Sequence, residues 1–344
     1  MLMTLLPLIM HAFDYRHYAR LVNRAELLWM EAHYDSALHD YDAAFALKAV
    51  PFASDLYNAS VCAVKAGRYE KAMRLCRRLA DKGIGRDFFT AANIYRPLSQ
   101  RKDWPALLRQ ATATRTRLRE RARTLQHRID SLVALDQQYN RAWRNAGMAS
   151  QEEERMNRAN DTISRALKLL CLNDGFPGED RLGPLLTSSH QLSYDLPFEV
   201  IIVHNYQNRR AGDTVFNAVL KAALEQGAIS PQQYAGLLDK GSNMGQRPYY
   251  GEVRFYMQYK CRLYLDKYNE DRRVWVDNNR AAIGLCTTAD LLKKVFFRTR
   301  YPESDFRISA YLSVTGSFAD AASEALIMQE RTAVSDTIPG CTEQ

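Results

Sequence analysis

Along the first third of the chain, apolar residues recur at the three- and four-residue spacing that predicts amphipathic helices, arranged in pairs around short turns. One pattern marks these turns: a small residue, an aromatic residue two positions on, and a second small residue three positions later. Its two clearest copies begin at positions 32 and 67 and are Ala32-His33-Tyr34-Asp35-Ser36-Ala37 and Gly67-Arg68-Tyr69-Glu70-Lys71-Ala72. A third, degenerate copy has Trp104 at the aromatic position and Leu107 at the small one.

The pattern resembles the tetratricopeptide repeat over residues 23–110. We expect the small residues to lie where two helices cross closely and the aromatic residues to fill the space beside each turn. The residues to which we assign this repeat packing are Tyr34, Ala37, Tyr69, Ala72 and Trp104. The resemblance implies a concave surface that holds a protein or peptide. An alternative is that the repeats only dock the second half of the chain.

A long helix is predicted next, because no glycine interrupts residues 104–145. Leucines at 118, 125, 132 and 135 fit one helix, or two that break near Ala134. Its arginines between Arg115 and Arg128 alternate with other residues, which spreads them around the helix. A nucleic-acid-binding helix would need a basic stripe with aromatic residues for stacking. We therefore interpret residues 111–150 as a solvated connecting helix and expect no nucleic-acid partner.

Glycine turns and caps divide the second half into shorter helices, which we group as one helical domain over residues 151–330. Asn173-Asp174-Gly175 predicts a helix end. Residues 200–203 fit either a helix capped by Ser193 or Asp195, or a short buried strand. Ser230-Pro231-Gln232-Gln233 is a complete helix start, with an N-cap, a first-turn proline and a capping-box glutamine. Further helices are expected at 214–226, 274–284, 288–297 and 318–329, before a loose tail over 331–344.

Composition narrows the class. The 344 residues are 47% apolar and 25% charged, which is typical of a soluble globular protein. A net charge of +8 indicates only a weak attraction to polyanions. The six cysteines show no zinc or redox spacing and suggest buried thiols in a reducing compartment, with a disulfide framework as the alternative. Residues 1–22 form a leader whose apolar run Leu2–Met10 is too short to cross a membrane, so we expect a cytoplasmic protein, or an exported one if this run belongs to a signal peptide.

The order of motifs from residue 125 to residue 285 is similar to that of a bacterial domain family of unknown function. That family combines an Asp-Gln helix, a Gly-Trp-Pro turn, a Gln-His pair, an Ala-x-Leu-x-Asp helix and a Tyr-Gly-Thr-Gln turn. Here the chain has Asp136-Gln137, Gly175-Phe176-Pro177, Val203-His204, the step from Ala235 to Asp239, and Tyr250-Gly251-Glu252-Val253. It departs from the family where Val203 and Glu252-Val253 replace amides. The resemblance implies a mostly helical domain and carries over no catalytic residue.

Ionisable side chains are concentrated in the same stretch and define a candidate site. A histidine beside a carboxylate could act as a general base, and a His/Asp/Glu set could hold a divalent metal. The candidate catalytic residues are His204, Asp239 and His190, and the candidate binding residues are Asp174, Glu179, Asp180 and Tyr250. No phosphate loop, metal-binding histidine pair or nucleophile elbow is present, so we assign no metal and no cofactor. A structural role is the alternative for His204, as a core histidine bound to a backbone carbonyl or to Asp239.

The sequence therefore predicts an all-α protein: tetratricopeptide-like hairpins, a long connecting helix and a compact helical domain. We expect a non-enzymatic interaction protein whose repeats bind a protein or peptide. The alternative is a small-molecule-binding or hydrolase-like domain centred on His204.

Overall fold

The computed structural model of the chain describes residues 13–208, 215–241, 249–252, 256–267, 270–308, 313–314, 320–329 and 331–334. These residues are predominantly helical, which confirms the predicted all-α class. A small four-stranded sheet, which the sequence did not predict, is added near the C-terminal end. None of the helices within the described ranges is long and apolar enough to cross a membrane.

Two helical hairpins form the start of the described chain: α1 Tyr15–Met30 with α2 Tyr34–Leu47, and α3 Ala53–Lys65 with α4 Tyr69–Asp81. The carboxylate of Asp14 accepts a hydrogen bond from the His17 amide and begins α1. Tyr18 and Val22 on this helix are buried. Residues 15–22 are therefore part of α1, which begins before the predicted end of the leader at residue 22, and the apolar run Leu2–Met10 lies outside the described residues.

The turn pattern has two separate physical causes. The first small residue of each copy has a left-handed backbone, with φ of 61° at Ala32 and 69° at Gly67. This conformation excludes bulky residues at a helix end. The second small residue, Ala37 or Ala72, is fully buried. Tyr69 is 41% exposed, so it does not fill the space beside its turn.

The third copy has no regular first helix. In its place are α5 Arg86–Ala91, a 3₁₀ turn Asn93–Tyr95 and α6 Arg96–Ser99. The long helix α7 then runs unbroken over Trp104–Asn145, with Pro105 in its first turn and no break near Ala134. Trp104 is buried against Tyr95 and Phe89.

Helix α7 links two hydrophobic cores. Leu107 and Ala111 pack into the core of the two helical hairpins, whereas Ile129 packs into a second core. The second core is formed with the helices α8 Ser150–Asp174, α10 Glu199–Asn208, α11 Asn217–Glu225 and α12 Pro231–Gly241, and a single turn, α9 Glu179–Leu182, follows α8. Of the α7 arginines, Arg117, Arg119, Arg121 and Arg123 are exposed.

Local signals in the second half are largely confirmed. Gly175, with φ of 80°, ends α8. The capping box at Ser230 is formed, since Ser230 Oγ accepts from the Gln233 amide at 3.1 Å and Gln233 Oε1 accepts from the Ser230 amide at 3.0 Å. Residues 200–203 are helical, so the strand alternative is wrong. Helix α10 begins at Glu199, which leaves Ser193 and Asp195 bonded to each other instead of capping it.

The sheet has the order β3-β1-β2-β4. Its strands are β1 Tyr256–Tyr259, β2 Arg262–Asp266, β3 Ser313–Val314 and β4 Arg331–Ala333, and the helices around it are α13 Glu270–Ala282, α14 Thr288–Arg300 and α15 Ala321–Gln329. β1 pairs antiparallel to β2 and parallel to β3, and β2 pairs antiparallel to β4. Residues 331–333 therefore do not belong to a loose tail. Cys261, at the β1–β2 turn, is disulfide-bonded, which corrects the expectation that all cysteines are thiols.

The face of α1 and α3 that turns away from α2 and α4 is covered by the chain's own C-terminal part. The Trp29 and Phe306 rings stack with centroids 3.8 Å apart. The Asn58 side chain pairs with both backbone groups of Arg307: its amide donates to the carbonyl at 2.7 Å and its oxygen accepts from the N–H at 2.8 Å. Lys294 Nζ contacts Glu26 Oε2 at 2.6 Å, and both side chains are at most 5% exposed.

We expect Lys294→Met to lower the free energy of unfolding by about 3–5 kcal/mol, because it leaves the Glu26 carboxylate buried and unpaired. The double change Glu26→Leu with Lys294→Met should recover much of this loss, since it removes both charges. Urea unfolding of the full chain measures both effects. The matched control is Lys293→Met: that side chain is 64% exposed in its pair with Asp290 and should change the free energy by less than about 1 kcal/mol. Equal losses at the two lysines would contradict the assignment.

Candidate functional site

His204, the strongest candidate from the sequence, is held by a carboxylate on another helix. Its Nδ1 lies 2.8 Å from Oδ2 of Asp136, which is on α7. The Asp136 side chain is fully buried, whereas that of His204 is 18% exposed. No other hydrogen bond joins the His204 side chain to a residue in the part of the chain that the structure describes. The partner is thus Asp136 and not Asp239, the carboxylate that the sequence suggested.

The dyad is part of a buried polar layer between α7, α8 and α10. Gln137 Nε2 donates to Asp136 Oδ2 at 3.0 Å, and Asn140 Nδ2 donates to the Asp136 carbonyl at 2.8 Å and to Asn160 Oδ1 at 3.4 Å. Several buried polar atoms of this layer bond to no described residue: Asp136 Oδ1, Asn160 Nδ2, Ser164 Oγ and both amide atoms of Asn205. Buried polar groups are normally paired, so this layer has capacity for a further polar group.

The chemistry of the dyad is that of an oriented base. A carboxylate at Nδ1 fixes the ring orientation and places a proton on that nitrogen, which leaves Nε2 as the basic atom. Hydrolases complete such a pair with a hydroxyl or thiol nucleophile. Within the described ranges, no serine, threonine or cysteine is hydrogen-bonded to His204. The dyad by itself can therefore accept a proton or bind a polar ligand.

Two segments that carry the family resemblance, the step from Ala235 to Asp239 and the turn at Tyr250, meet helix α13 at a second polar cluster. Asp239 on α12 accepts hydrogen bonds from the amides of Tyr250 at 3.0 Å and Glu252 at 2.8 Å. Arg280 on α13 donates to the Tyr250 carbonyl at 2.6 Å and to Glu252 Oε1 at 2.9 Å. Gly251, between Tyr250 and Glu252, has φ of 71°, a backbone conformation that favours glycine. The cluster holds the turn in place.

Burial sets the protonation of this cluster. It raises the pKa of Asp239 to about 7, against the opposing effect of the two backbone amides. Burial also raises the pKa of Glu252, and the charge of Arg280 opposes this shift. The charge of the nearby Glu252 carboxyl group raises the pKa of Asp239 further.

The other candidate residues do not meet His204. Glu179 accepts from the Ala53 amide at 3.0 Å, at the start of α3, and pairs with Lys82 at 2.7 Å. Asp180 also pairs with Lys82, at 2.6 Å. Their carboxylates thus tie the second half of the chain to the repeats.

The last three candidates lie at three separate places. Asp174 pairs with Arg128 at 2.7 Å. His190 is exposed in a turn, with φ of 56°. Tyr250 is buried, with its ring centroid 6.2 Å from that of Tyr234. Across the described residues, no three His, Cys, Asp or Glu side chains form a group that could hold a metal ion.

The sequence missed a cavity of about 440 Å³. It lies between the segment 187–199, helix α12 and the segment 297–308. Lys240 on its wall pairs with Glu199, and its Nζ lies 3.8 Å from Asp195 Oδ1. Glu252 of the second cluster also lines it. The sequence signal for this cavity is Gly236, a glycine in the interior of a helix whose start at Ser230 and end at Gly241 are both clearly marked.

Comparison with protein-family models, with curated proteins and with solved structures found no match to this chain.

The raised pKa of Asp239 predicts a pH dependence of stability. Between its unfolded pKa of about 4 and its folded pKa of about 7, the folded state binds more protons than the unfolded state. Stability from this group is therefore lost as the pH rises through that window, by at most about 4 kcal/mol. We expect the unfolding free energy of Asp239→Asn to fall less between pH 4 and pH 7 than that of the wild type, as measured by urea unfolding. Asp130→Asn, at an exposed carboxylate, controls for the charge change; curves of Asp239→Asn and wild type that run parallel would exclude the effect.

Proposed function

We propose that this chain is a non-enzymatic interaction protein whose tetratricopeptide-like repeats hold an extended protein or peptide segment on the α1/α3 face. The observation that supports the proposal is the segment 304–308, which lies on that face in the folded chain. It serves as the resident occupant, and a partner segment of the same chemistry would replace it. Docking of the second half and partner binding are then two uses of one surface.

The contacts of the resident segment define the partner chemistry. Asn58 pairs with backbone atoms of Arg307, a contact that any extended peptide can make. Phe306, the residue before Arg307, stacks on Trp29 and packs beside Tyr34. The partner segment therefore needs an aromatic residue directly before its backbone-paired residue. One residue earlier, Asp305 pairs with Lys65 at 3.2 Å. The partner segment is therefore an acidic residue, an aromatic residue and a backbone-paired residue in succession.

Peptide binding in trans tests the proposal. The probe is a fluorescein-labelled peptide of residues 302–308, Pro-Glu-Ser-Asp-Phe-Arg-Ile, with fluorescence anisotropy as the readout. We expect it to bind full-length Phe306→Ala at least tenfold more tightly than the wild type, because the variant weakens the resident occupant. Adding Asn58→Ala should abolish the gain, since the backbone contact is lost.

The controls are a peptide with alanine for its phenylalanine, which should not bind, and Tyr301→Ala. The side chain of Tyr301 is 48% exposed, so its loss should leave the resident segment in place and binding as in the wild type. Circular dichroism verifies that each variant is folded. Failure of the folded Phe306→Ala protein to bind the peptide would refute the proposal.

A second candidate function is a ligand-binding or hydrolase-like activity centred on His204. The hydrogen bond that Nδ1 of His204 donates to the buried Asp136 carboxylate favours it, because this arrangement orients a general base. On this proposal the unpaired polar atoms of the surrounding layer bind the polar parts of a substrate. We assign no metal and no cofactor to this activity, which would use only side chains of the chain itself.

Ester hydrolysis separates this function from a structural role. With p-nitrophenyl acetate as the substrate, His204→Gln should lower the rate at least tenfold while the unfolding free energy changes by less than about 1 kcal/mol. His33→Gln, at an exposed imidazole, controls for unassisted attack by histidine. Equal rates in the two variants, with a loss of about 2 kcal/mol or more in stability for His204→Gln, would assign His204 to the core.

We also propose a cytoplasmic location for the protein. The support is four free thiols at Cys62, Cys76, Cys171 and Cys286. The disulfide at Cys261 is the observation that favours the exported alternative. Thiol counting in protein from native cells distinguishes them, since a cytoplasmic chain keeps Cys261 reduced.

A further inference from the structure

Helix α12 contains a glycine that packing does not explain. Gly236 lies at the middle of Pro231–Gly241, where glycine costs about 1 kcal/mol relative to alanine. An interior glycine usually allows a close approach of another backbone. Here a Cβ atom would meet nothing within 4 Å, although the residue is buried. The lack of a side chain at Gly236 therefore leaves an open space and does not serve a close contact with another backbone.

The room belongs to the cavity of about 440 Å³, which Gly236 lines. This volume is within the range of about 300–1,000 Å³ that is typical of small-molecule sites. Any larger residue at 236 would gain helix propensity and project into this space. The helix thus gives up stability at a position where a side chain would enter the cavity.

Polar groups on the cavity wall are available to a ligand. Arg307 lines the cavity, and its guanidinium makes no hydrogen bond or ion pair with any residue that the structure describes. Its backbone is fixed by Asn58 and by the Tyr194 hydroxyl, which donates to the Arg307 carbonyl at 3.2 Å. The side-chain amides of Gln191 and Gln232 also line the cavity and have no partner among the described residues. Lys240, in contrast, is occupied by Glu199.

We propose that this cavity is a binding site for a small carboxylate-bearing ligand with an amide group, of the class of N-acylated amino acids. A guanidinium without a carboxylate partner, held by a fixed backbone, suits bidentate binding of the ligand carboxylate. The amides of Gln191 and Gln232 match the donor and acceptor of the ligand amide. The aromatic rings of Phe297 and Tyr301 on the same wall accommodate an apolar side chain.

The inference goes beyond the proposed function and does not depend on it. The site exists with the segment 304–308 in place, whereas the repeat proposal requires that segment to be displaced. Ligand binding in the cavity and peptide binding on the α1/α3 face can therefore succeed or fail separately. Small ligands report on the first and the labelled peptide on the second.

Saturation-transfer NMR on the full chain tests the site. The probes are the N-acetyl derivatives of the twenty protein amino acids, each paired with its N-acetyl amino-acid amide, which lacks the carboxylate. We expect at least one acid to bind, and its amide to bind at least tenfold more weakly. Gly236→Met should abolish binding without lowering the melting temperature, because it fills the cavity and favours the helix.

Two further variants keep the test decisive if Gly236→Met does not fold. Arg307→Met should weaken binding at least tenfold, while Arg117→Met makes the same chemical change at an exposed position and should leave it unchanged. Gly236→Ala should raise the melting temperature and reduce affinity less than methionine does. Absence of binding by every acid, equal binding of acid and amide, or wild-type binding by Arg307→Met would each overturn the proposal.

Discussion

The arrangement of this protein depends on one ion pair, between Glu26 on α1 and Lys294 on α14. Both charges are buried, so neither helix could bury its charge without the other. The pair sets the position of α14 on the repeats, and the rings of Phe297 and Phe306 then meet Trp29. Such a pair contributes specificity more than net stability, because desolvation offsets much of the attraction. If α14 were displaced relative to α1, Glu26 and Lys294 would both be buried without a partner.

The same constraint recurs at buried charged residues of α7 and the second half, where the described residues Asp136, Asp239 and Glu252 bond to partners from other segments. Asp136 meets His204 across two helices, and Asp239 holds a turn that also receives Arg280. These clusters differ in what they leave unused. In the Asp239 cluster, Asp239 accepts hydrogen bonds from backbone amides, and Arg280 donates to a backbone carbonyl and to Glu252. The layer around Asp136, in contrast, retains buried polar atoms with no described partner. The Asp239 cluster therefore holds a turn in place, whereas the layer around Asp136 has the capacity to bind a further polar group.

Local signals allowed the sequence to predict much of the fold. The capping box at Ser230, the helix end at Gly175 and the unbroken α7 depend on neighbouring residues, and each is confirmed. The sheet was missed because its strands are two to five residues long and pair across most of the C-terminal third. The site was harder still. Glu179 bonds a residue 126 positions away and Asp136 one 68 positions away, so no local pattern could place either.

The α1/α3 face also has a consequence for the order in which the chain is made. Asn58 and the backbone it holds, at Arg307, are separated by 249 residues. At a synthesis rate of about 5–20 residues per second, roughly 12–50 s pass between the two leaving the ribosome. Throughout that interval Trp29 and its apolar neighbours on the α1/α3 face lack the cover of Phe306. The α1/α3 face can therefore reach its folded state only after residues 306 and 307, which cover Trp29 and bond Asn58, have been made.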